Sequence, residues 1–321
     1  MCGIIGLIAD REPSLIEQLS RKMCDAIYHR GPDSDGMWFD MDLGVALGHR
    51  RLAIQDLSPH GAQPMGSHSG RFKMVFNGEI YNFLKLKEAL LADGVSFSGD
   101  SDTEVLLEGV AKWGLNDCLS RLEGMFALGI WDVEMQTLTL ARDRVGEKPL
   151  YFGWVDDQFL FSSELRSFEV MDAPLVLSRE SLADYFYFGY VPYPKSIYKN
   201  IFKLPPSTTI TFPIVSRKVD QSIFSEKLSP GKVSPIAYWS VSEKARLGKE
   251  TPLLDEESAV SELDCLLKTV IADQTIADVP VGAFLSGGID SSAVVAIMQQ
   301  VSSKPVETFT IGFNEKEYNE A

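Results

Sequence analysis

The sequence is poor in cysteine, carries more acidic than basic residues, and lacks any long apolar run. Its 321 residues contain four cysteines, too few and too scattered for a disulfide framework or a zinc knuckle. With 30 basic and 45 acidic residues, the net charge of −15 argues against binding to a nucleic-acid backbone. No stretch approaches the ~18 apolar residues of a membrane span. We therefore expect neither a nucleic-acid nor a membrane partner.

The N-terminus shows no targeting signal. The apolar stretch 2–9 has no basic residue ahead of it and ends at Asp10, which does not fit a secretory signal peptide. Glycine is the third residue, whereas N-myristoylation requires it as the second. These features predict a cytoplasmic protein, and a homodimer is compatible with them.

Three of the four cysteines are expected to be small buried hydrophobic residues. Cys24 lies on the apolar face of a predicted helix, and Cys118 and Cys265 have similar surroundings. Of the four cysteines, only Cys2 is expected to take part in chemistry.

Cys2 differs because removal of Met1 would place a free α-amine beside its thiol. An α-amine, with an ordinary pKa of about 7.7–8.0, can serve as the base for its own side chain. Taken alone, Cys2 fits a small residue next to a strand equally well, so its role depends on partners elsewhere in the chain.

The chain changes architecture along its length, and 321 residues suffice for about two domains. Up to residue 212, short apolar runs are grouped around helices predicted over 83–92 and 103–113, and one of these predicted strands is 52–57. Such grouping predicts stacked sheets and helices of the α+β class. Residues 213–252 show little periodicity and are expected to form a linker. From residue 253, a strand–turn–helix–strand pattern predicts a parallel α/β sheet.

A glycine-rich turn connects the first strand and the helix of this second region. Residues 284–292 read Phe-Leu-Ser-Gly-Gly-Ile-Asp-Ser-Ser, so backbone N–H groups and serine hydroxyls can face a phosphate. Asp290 suits a bridging Mg²⁺ better than a bare phosphate. The spacing is not that of a Walker A loop, which has a lysine before the serine. A helix cap at Asp290 or Ser291 is the simpler alternative.

Three polar clusters in the first region supply the groups that a nucleophile at Cys2 would need. Arg50 and Arg51 suit bidentate binding of a carboxylate. Asn77 and Gly78 interrupt an apolar strand with the donors that an oxyanion hole requires. The acidic stretch 99–104 could pair with an ammonium group or cap a helix. Each cluster alone fits a turn or a helix cap equally well. Only their occurrence together with Cys2 favours a catalytic site.

In chain order, these motifs resemble those of class II glutamine amidotransferases, followed by the pyrophosphate loop of N-type ATP pyrophosphatases. That pair of domains is typical of glutamine-hydrolysing asparagine synthetases. The matching residues are Cys2-Gly3-Ile4-Ile5-Gly6, His29-Arg30-Gly31-Pro32-Asp33, His49-Arg50-Arg51-Leu52-Ala53-Ile54, Asn77-Gly78-Glu79-Ile80-Tyr81-Asn82, Ser101-Asp102-Thr103-Glu104, Arg142-Asp143-Arg144 with Gly146 and Lys148-Pro149-Leu150-Tyr151, and Ser286–Ser292.

The resemblance implies a fold for each region. Residues 2–212 would form the αββα sandwich of the N-terminal nucleophile hydrolases, 213–252 a linker, and 253–321 the start of an α/β ATP pyrophosphatase domain. The family's synthetase domain continues beyond the equivalent of residue 321. We therefore expect these residues to carry the glutaminase reaction but not the complete synthesis of asparagine.

The resemblance also implies the chemistry of two sites. Cys2 would attack the side-chain amide of glutamine, and Asn77 and Gly78 would stabilise the oxyanion. Arg51 would bind the substrate carboxylate and Asp102 its α-amine, without a cofactor. Leu52, Ala53, Ile54, Gln55 and Glu79 would complete this pocket. ATP would bind at Leu285, Ser286, Gly287, Gly288, Asp290, Ser291, Ser292 and Ile311, with Mg²⁺ on Asp290, and would activate aspartate for amidation by the released ammonia.

Two other functions remain open at this point. The first is a related amidotransferase that amidates a different carboxylate, because the acceptor-binding residues are not among those quoted. The second is a truncated module that binds or regulates without catalysis. The presence of Cys2, Arg51, Asn77 and Asp102 together argues against the second.

Overall fold

The structure, a computed structural model, describes residues 2–225, 231–253 and 255–315. It divides into two compact units, Met1–Ser240 and Val241–Ala321. Met1, 226–230, 254 and 316–321 lie outside the described residues, and with them the predicted loss of Met1 and parts of the predicted linker and second domain. Each helix among the described residues is either too short or too polar to span a lipid bilayer.

Two six-stranded sheets form the centre of the first unit. The first sheet comprises β1 (Gly3–Ile8), β2 (Ser34–Asp40), β3 (Val45–Arg51), β8 (Tyr151–Val155), β9 (Gln158–Ser162) and β10 (Ile201–Lys203), in the spatial order β10-β8-β9-β1-β3-β2. The second comprises β4 (Met65–Gly66), β5 (Phe72–Ile80), β6 (Gly124–Asp132), β7 (Thr137–Arg142), β11 (Thr208–Pro213) and β12 (Ile236–Ala237), in the order β12-β11-β7-β6-β5-β4. The pairs that join these strands are antiparallel.

Among the described residues of the first unit there are six α-helices. They are α1 (Pro13–Ala26), α2 (Phe83–Ala92), α3 (Asp102–Trp113), α4 (Leu115–Arg121), α5 (Arg166–Glu169) and α6 (Arg179–Phe188). The helices predicted over 83–92 and 103–113 are confirmed by α2 and α3.

Alternation of side chains along the strands explains why the sheets form the middle layers. On β1, Ile4 and Ile8 point into the core between the two sheets, whereas Ile5 and Leu7 point to the opposite face. That opposite face packs against Ile16, Leu19 and Met23 of α1, with Phe168 of α5, while α3 contacts β5 of the second sheet. Successive strand residues face opposite sides of a sheet, so an apolar strand such as β1 needs cover on both.

The described part of the second unit contains a small parallel sheet and three helices. Its elements are α7 (Val241–Glu250), α8 (Glu256–Gln274), β13 (Gly282–Phe284), α9 (Ile289–Val301) and β14 (Glu307–Phe309). β13 and β14 pair in parallel, as the strand–turn–helix–strand pattern predicts. Ile271 of α8 packs with Ile297 and Met298 of α9.

Two sequence-based expectations are wrong. Residues 52–57 do not form a strand, because side chains rather than a neighbouring strand hold their backbone, and Asp56 has a left-handed φ of 50°. Cys265 is exposed on α8, whereas Cys24 and Cys118 are buried as expected. The helix period near Cys265 is correct, but Leu267 and Ile271 occupy its packed face.

Part of the stretch expected as a linker is built into the first unit. Val219 is buried in the core between the sheets, and its carbonyl accepts a hydrogen bond of 2.8 Å from the Trp154 indole. β12 pairs with β11, and the Tyr238 hydroxyl donates to the Arg142 carbonyl at 2.8 Å. The first compact unit thus extends well past residue 212.

Candidate active site

The Cys2 thiol lies at a strand junction that the sheet register creates. Gly3 of β1 pairs with Arg50 of β3, so Cys2 comes next to the end of β3. The Leu52 N–H donates to Cys2 Sγ at 3.4 Å, and the thiol donates to the Leu52 carbonyl at 3.6 Å. The Arg30 guanidinium donates to the Cys2 carbonyl at 3.0 Å and is itself paired with Glu164. Burial raises the pKa of the Cys2 thiol, so attack requires a base.

Arg51, at the end of β3, organises the loop that follows it. Its guanidinium donates to the Ser58 carbonyl at 3.2 Å, to the Gln55 carbonyl at 3.4 Å, and also to the Asp56 carbonyl. The Ala53 N–H donates to Asp33 at 2.9 Å. These contacts give the loop its shape without strand pairing, and Arg51 still lines the cleft that contains Cys2.

One edge of β5 is open beyond Met74, because β4 pairs only with residues 73 and 74. Side chains bind the backbone there instead: the Phe76 N–H donates to Gln63 Oε1 at 2.7 Å, and the Ile80 N–H to Asp102 Oδ2 at 2.9 Å. Alternate residues of a strand direct their N–H groups to the same edge. The N–H of Gly78, midway between these two, therefore points to this edge as well, where the cleft lies.

The side chain of Asn77 is buried yet lacks hydrogen-bond partners. The residue is 1% exposed, and neither atom of its amide has a partner among the described residues. Buried amides are almost always paired, so an unpaired one in a cleft indicates a group that a ligand satisfies. Asn77 and Gly78 line the same cleft as Cys2.

Asp102 forms the acidic end of the cleft at the first residue of α3. Besides the bond from Ile80, its carboxyl accepts a bond of 3.2 Å from the Thr103 hydroxyl. Burial raises the pKa of Asp102 to about 6, and the nearby Glu79 adds to the shift. A carboxylate that is costly to ionise alone is stabilised by a substrate ammonium.

Glu79 and Lys148 provide a second charged pair beside the cleft. Burial raises the pKa of Glu79 and lowers that of Lys148, and each charge partly opposes the shift of the other. Lys148 is held by a turn around the fully buried Asp143, whose carboxylate accepts bonds from the N–H groups of residues 145–148 and from Phe126.

The structure gathers most of the residues expected at the glutamine site. Cys2, Arg51, Leu52, Ile54, Gln55, Asn77, Gly78, Glu79 and Asp102 line one cleft, and Ala53 is in the adjoining loop without lining it. Several other lining residues had no role in the sequence-based expectation, namely Gly61, Gln63, Phe76, Ser101, Thr103, Met125 and Lys148. Lys148 belongs to a recognised motif, whereas no local pattern distinguishes Gln63.

The residues expected to bind ATP lie between β13 and α9 and in the first turn of α9, except Ile311, which follows β14. Of them, Leu285, Ser286, Ser291 and Ile311 line a cleft with four neighbours, while Gly287, Gly288, Asp290 and Ser292 do not line it. The Ser286 and Ser291 hydroxyls lie 3.0 Å apart, and Thr310 donates to the Leu285 carbonyl at 2.7 Å. Gly288 is the N-cap of α9, so the N-terminus of this helix lies at the glycine turn.

A magnesium ion at this turn would have one protein carboxylate. Asp290 is exposed in the first turn of α9, and within the described residues no group of three or more His, Cys, Asp or Glu could hold a metal ion. Mg²⁺ in nucleotide sites is commonly bound by one or two carboxylates together with phosphate oxygens. Asp290 fits that kind of site, with the remaining ligands from a nucleotide and water.

Comparison with known proteins agrees with this geometry. Residues 1–222 match the family described as glutamine amidotransferase domain, and residues 262–321 match the family described as asparagine synthase. In Bacillus subtilis, the glutamine-hydrolyzing asparagine synthetases 1 and 3 are each 33% identical to this chain. These alignments cover 100% and 99% of the chain but 47% and 49% of the relatives. The chain thus spans about half the length of these curated relatives.

The fold is also found in solved structures. Glutamine phosphoribosylpyrophosphate amidotransferase from B. subtilis, complexed with ADP and GMP, aligns with a TM-score of 0.53 at 18% identity. The alignment covers 98% of this chain and 67% of that one. It confirms the expected fold, an αββα sandwich of two antiparallel sheets. Because the matching family covers more than half of the residues, the chain belongs to the glutamine amidotransferase domain family.

Proposed function

We propose that the first unit hydrolyses glutamine to glutamate and ammonia with Cys2 as the nucleophile. The observation that carries this proposal is the buried, unpartnered Asn77 amide in the cleft that holds the Cys2 thiol. As the substrate carbonyl oxygen becomes an oxyanion, it accepts a stronger hydrogen bond from the Asn77 amide, so this bond is strongest in the transition state.

Two fixed charges orient the substrate. Arg51 binds the α-carboxylate and Asp102 the α-ammonium, with Leu52, Ile54, Gln55 and Glu79 forming the remaining walls. Both ends of the amino acid are then held, so the side-chain amide lies at Cys2. Holding the reacting groups in this way replaces much of the entropy cost of a bimolecular encounter.

The first half of the reaction transfers the acyl group to sulfur. After Met1 is removed, the Cys2 α-amine takes the thiol proton, and the thiolate attacks the amide carbon. Asn77 Nδ2 and the Gly78 N–H donate to the oxyanion. When the tetrahedral intermediate collapses, the α-ammonium returns the proton to the leaving nitrogen, so that ammonia departs and a thioester remains.

The second half releases glutamate. The α-amine now takes a proton from water, and the resulting hydroxide attacks the thioester carbonyl, with the same two donors stabilising the oxyanion. The C–S bond breaks, and the α-ammonium returns its proton to the thiolate. The enzyme is restored, and neither half requires an electron acceptor or a metal ion.

A cysteine variant tests the assignment. Cys2→Ala should abolish glutamine hydrolysis, while glutamine still binds, because Arg51 and Asp102 remain. The matched control is Cys118→Ala, which removes a buried thiol outside the cleft and should keep kcat. Intact mass should show that the active protein has lost Met1. Normal turnover by Cys2→Ala, or full activity with Met1 retained, would refute the mechanism.

We further propose that the ammonia serves the ATP-dependent amidation of aspartate to asparagine. Support comes from the asparagine synthase match over 262–321, from the names of the relatives, and from the glycine turn at the N-terminus of α9. The turn residues Ser286, Gly287, Gly288, Ser291 and Ser292 would contact the phosphates, Leu285 and Ile311 the nucleoside, and Asp290 a Mg²⁺.

Binding of MgATP tests the second site independently of asparagine formation. Asp290→Asn should weaken MgATP binding by about tenfold or more, because a phosphate-bridging cation loses its charged ligand. Asp264→Asn is a suitable control, since Asp264 is an exposed acid on α8 paired with Lys268. Equal affinities in the two variants would contradict the proposed ATP site. A cytoplasmic location, a homodimer and the start of the second domain at residue 253 stay predictions.

A further inference from the structure

Gln63 is a buried residue that the proposed mechanism does not use. It is 8% exposed and precedes β4, and both ends of its amide are bound. Its Oε1 accepts the Phe76 N–H at 2.7 Å, and its Nε2 donates to the Thr103 hydroxyl at 3.5 Å. The Thr103 hydroxyl donates in turn to Asp102 at 3.2 Å.

These bonds occur where β5 lacks a strand neighbour. β4 begins at Met65, opposite Met74, so this strand does not extend along β5 as far as Phe76. Gln63 supplies the missing acceptor one residue before Asn77. The other polar group of Phe76, its carbonyl, accepts a bond of 3.1 Å from His49 of β3, which belongs to the opposite sheet. Two buried side chains thus fix the backbone immediately ahead of the oxyanion donors.

We propose that Gln63 is a positioning residue for the oxyanion hole, which it holds in register with the N-terminus of α3 through Thr103. It does not touch the reacting atoms. Its loss leaves the Phe76 N–H without an acceptor and allows β5 to shift, which moves Asn77 and Gly78 away from the oxyanion. This inference rests on the proposed glutaminase function.

The test compares two variants of buried glutamines in the full chain. Gln63→Leu should lower kcat for glutamine hydrolysis by about 10- to 100-fold, as misplacement of catalytic donors typically does, with KM changed by less than about threefold. Gln158→Leu is the matched control, because Gln158 is 7% exposed on β9 and does not line the cleft. Its kcat should equal that of the original protein.

A double-mutant cycle separates positioning from general destabilisation. Because Gln63 acts partly through Asn77, Gln63→Leu should lower kcat by a smaller factor in the Asn77→Ala background than in the original protein, so that the two losses are less than multiplicative. Gln63→Glu keeps an acceptor for the Phe76 N–H but loses the donor to Thr103 and adds a carboxyl near Asp102, so its kcat should lie between those of Gln63→Leu and the original protein. If Gln63→Leu does not fold, the comparison of Gln63→Glu with Gln63→Ala replaces it. Alkylation of Cys2 by iodoacetamide should proceed at the same rate in all folded variants.

Each contrary result has a distinct meaning. Unchanged kcat in the Gln63 variants, a raised KM with normal kcat, or fully multiplicative losses in the double-mutant cycle would each overturn the role of Gln63. Absence of glutamine hydrolysis in the original protein would instead overturn the proposed function. The two failures are therefore distinguishable from the same set of measurements.

Discussion

At the scale of single residues, Asp102 shows how the cleft places stability and substrate binding in opposition. Its carboxyl is almost fully buried and has a pKa raised to about 6, so ionising it in the free protein is unfavourable. Binding of a substrate ammonium requires the ionised form. The group therefore costs folding free energy at neutral pH that a ligand recovers.

Glutamine affinity should accordingly depend on pH in the acid range. Below a pH of about 6 the Asp102 carboxyl is protonated and cannot pair with the ammonium, so the Kd for glutamine should rise by nearly tenfold per pH unit. Calorimetric titration of Cys2→Ala between pH 4.5 and about 8 measures this without turnover. Asp102→Asn should bind weakly throughout and lose the inflection, and an inflection that persists in this variant would assign it to another group.

The same substitution should stabilise the fold. The folded pKa of Asp102 lies above its unfolded value of 3.8, so the native protein gains stability from this group as pH falls through 6 and loses it at higher pH. Asp102→Asn should therefore raise the unfolding free energy at pH 8, by up to about 3 kcal/mol, and less at pH 5. Urea unfolding at the two pH values checks the sign.

At the scale of elements, β5 combines a structural and a chemical role. Its pairing with β6 brings the two backbones so close at Gly78 that a Cβ there would lie 2.2 Å from the Met125 carbonyl oxygen. A side chain at this position would force the strands apart, and the other edge of β5 has no strand to compensate.

Gly78→Ala should thus impair both folding and catalysis. We expect a loss of about 1–3 kcal/mol in unfolding free energy from overpacking, and a fall in kcat of about 100-fold or more because the N–H donor moves. Gly248→Ala is the control, since a Cβ there meets nothing within 4 Å and Gly248 lies inside α7. That variant should be neutral or more stable by about 0.5–1 kcal/mol. If Gly78→Ala were as stable as Gly248→Ala, the close approach of β5 and β6 at Gly78 would not limit the side chain there.

His49 joins β3 to β5 across the interior of the sandwich. Burial lowers its pKa to about 3, and because the Phe76 carbonyl only accepts, the neutral ring donates through Nε2. The folded pKa is below the unfolded value near 6.5, so this contribution to stability is present above pH 6.5 and is lost as pH falls.

Substitution of His49 should flatten the acid side of the stability profile. His49→Gln keeps an N–H donor but does not titrate, so its unfolding free energy should fall less steeply between pH 6.5 and about 4.5, by roughly 1 kcal/mol per pH unit. Denaturant titrations of both proteins measure the difference, and Asp102 titrates equally in each. Parallel profiles would mean that His49 is not the buried neutral donor described above.

At the scale of the molecule, the extent of the first unit is the main structural surprise. Residues up to Ser240 add the last strand of the second sheet and cover part of the core, whereas the sequence predicted an end at residue 212.

A chain of residues 1–240 should keep the glutaminase kcat of the full chain, and its melting temperature is the reference for a shorter chain. A chain of 1–212 lacks β12 and the Val219 contacts, and should melt at least ~5 °C lower, assuming a loss of a few kcal/mol. Equal melting temperatures would show that the later residues add nothing.

Periodicity identified the elements well where each had a single buried face. The helices α2 and α3 and the strand–turn–helix–strand unit were predictable because apolar spacing reports burial directly. The loop at 52–57 was not, because its apolar residues resemble a strand while Cys2 and Arg51 hold its backbone. Cys265 was misassigned because a helix period does not reveal which side a partner covers.

The sequence by itself determined the chemical inventory: the thiol of Cys2, the donors at Asn77 and Gly78, the two opposite charges at Arg51 and Asp102, and a glycine turn before a helix. Residue types and spacing suffice for these because each is a local choice of functional group. Only the tertiary structure decided that the first set shares one cleft, that Gln63, His49 and Lys148 surround it, and that residues up to 240 belong to the same unit. Those features depend on sheet register and strand ends, which are contacts between residues distant in sequence.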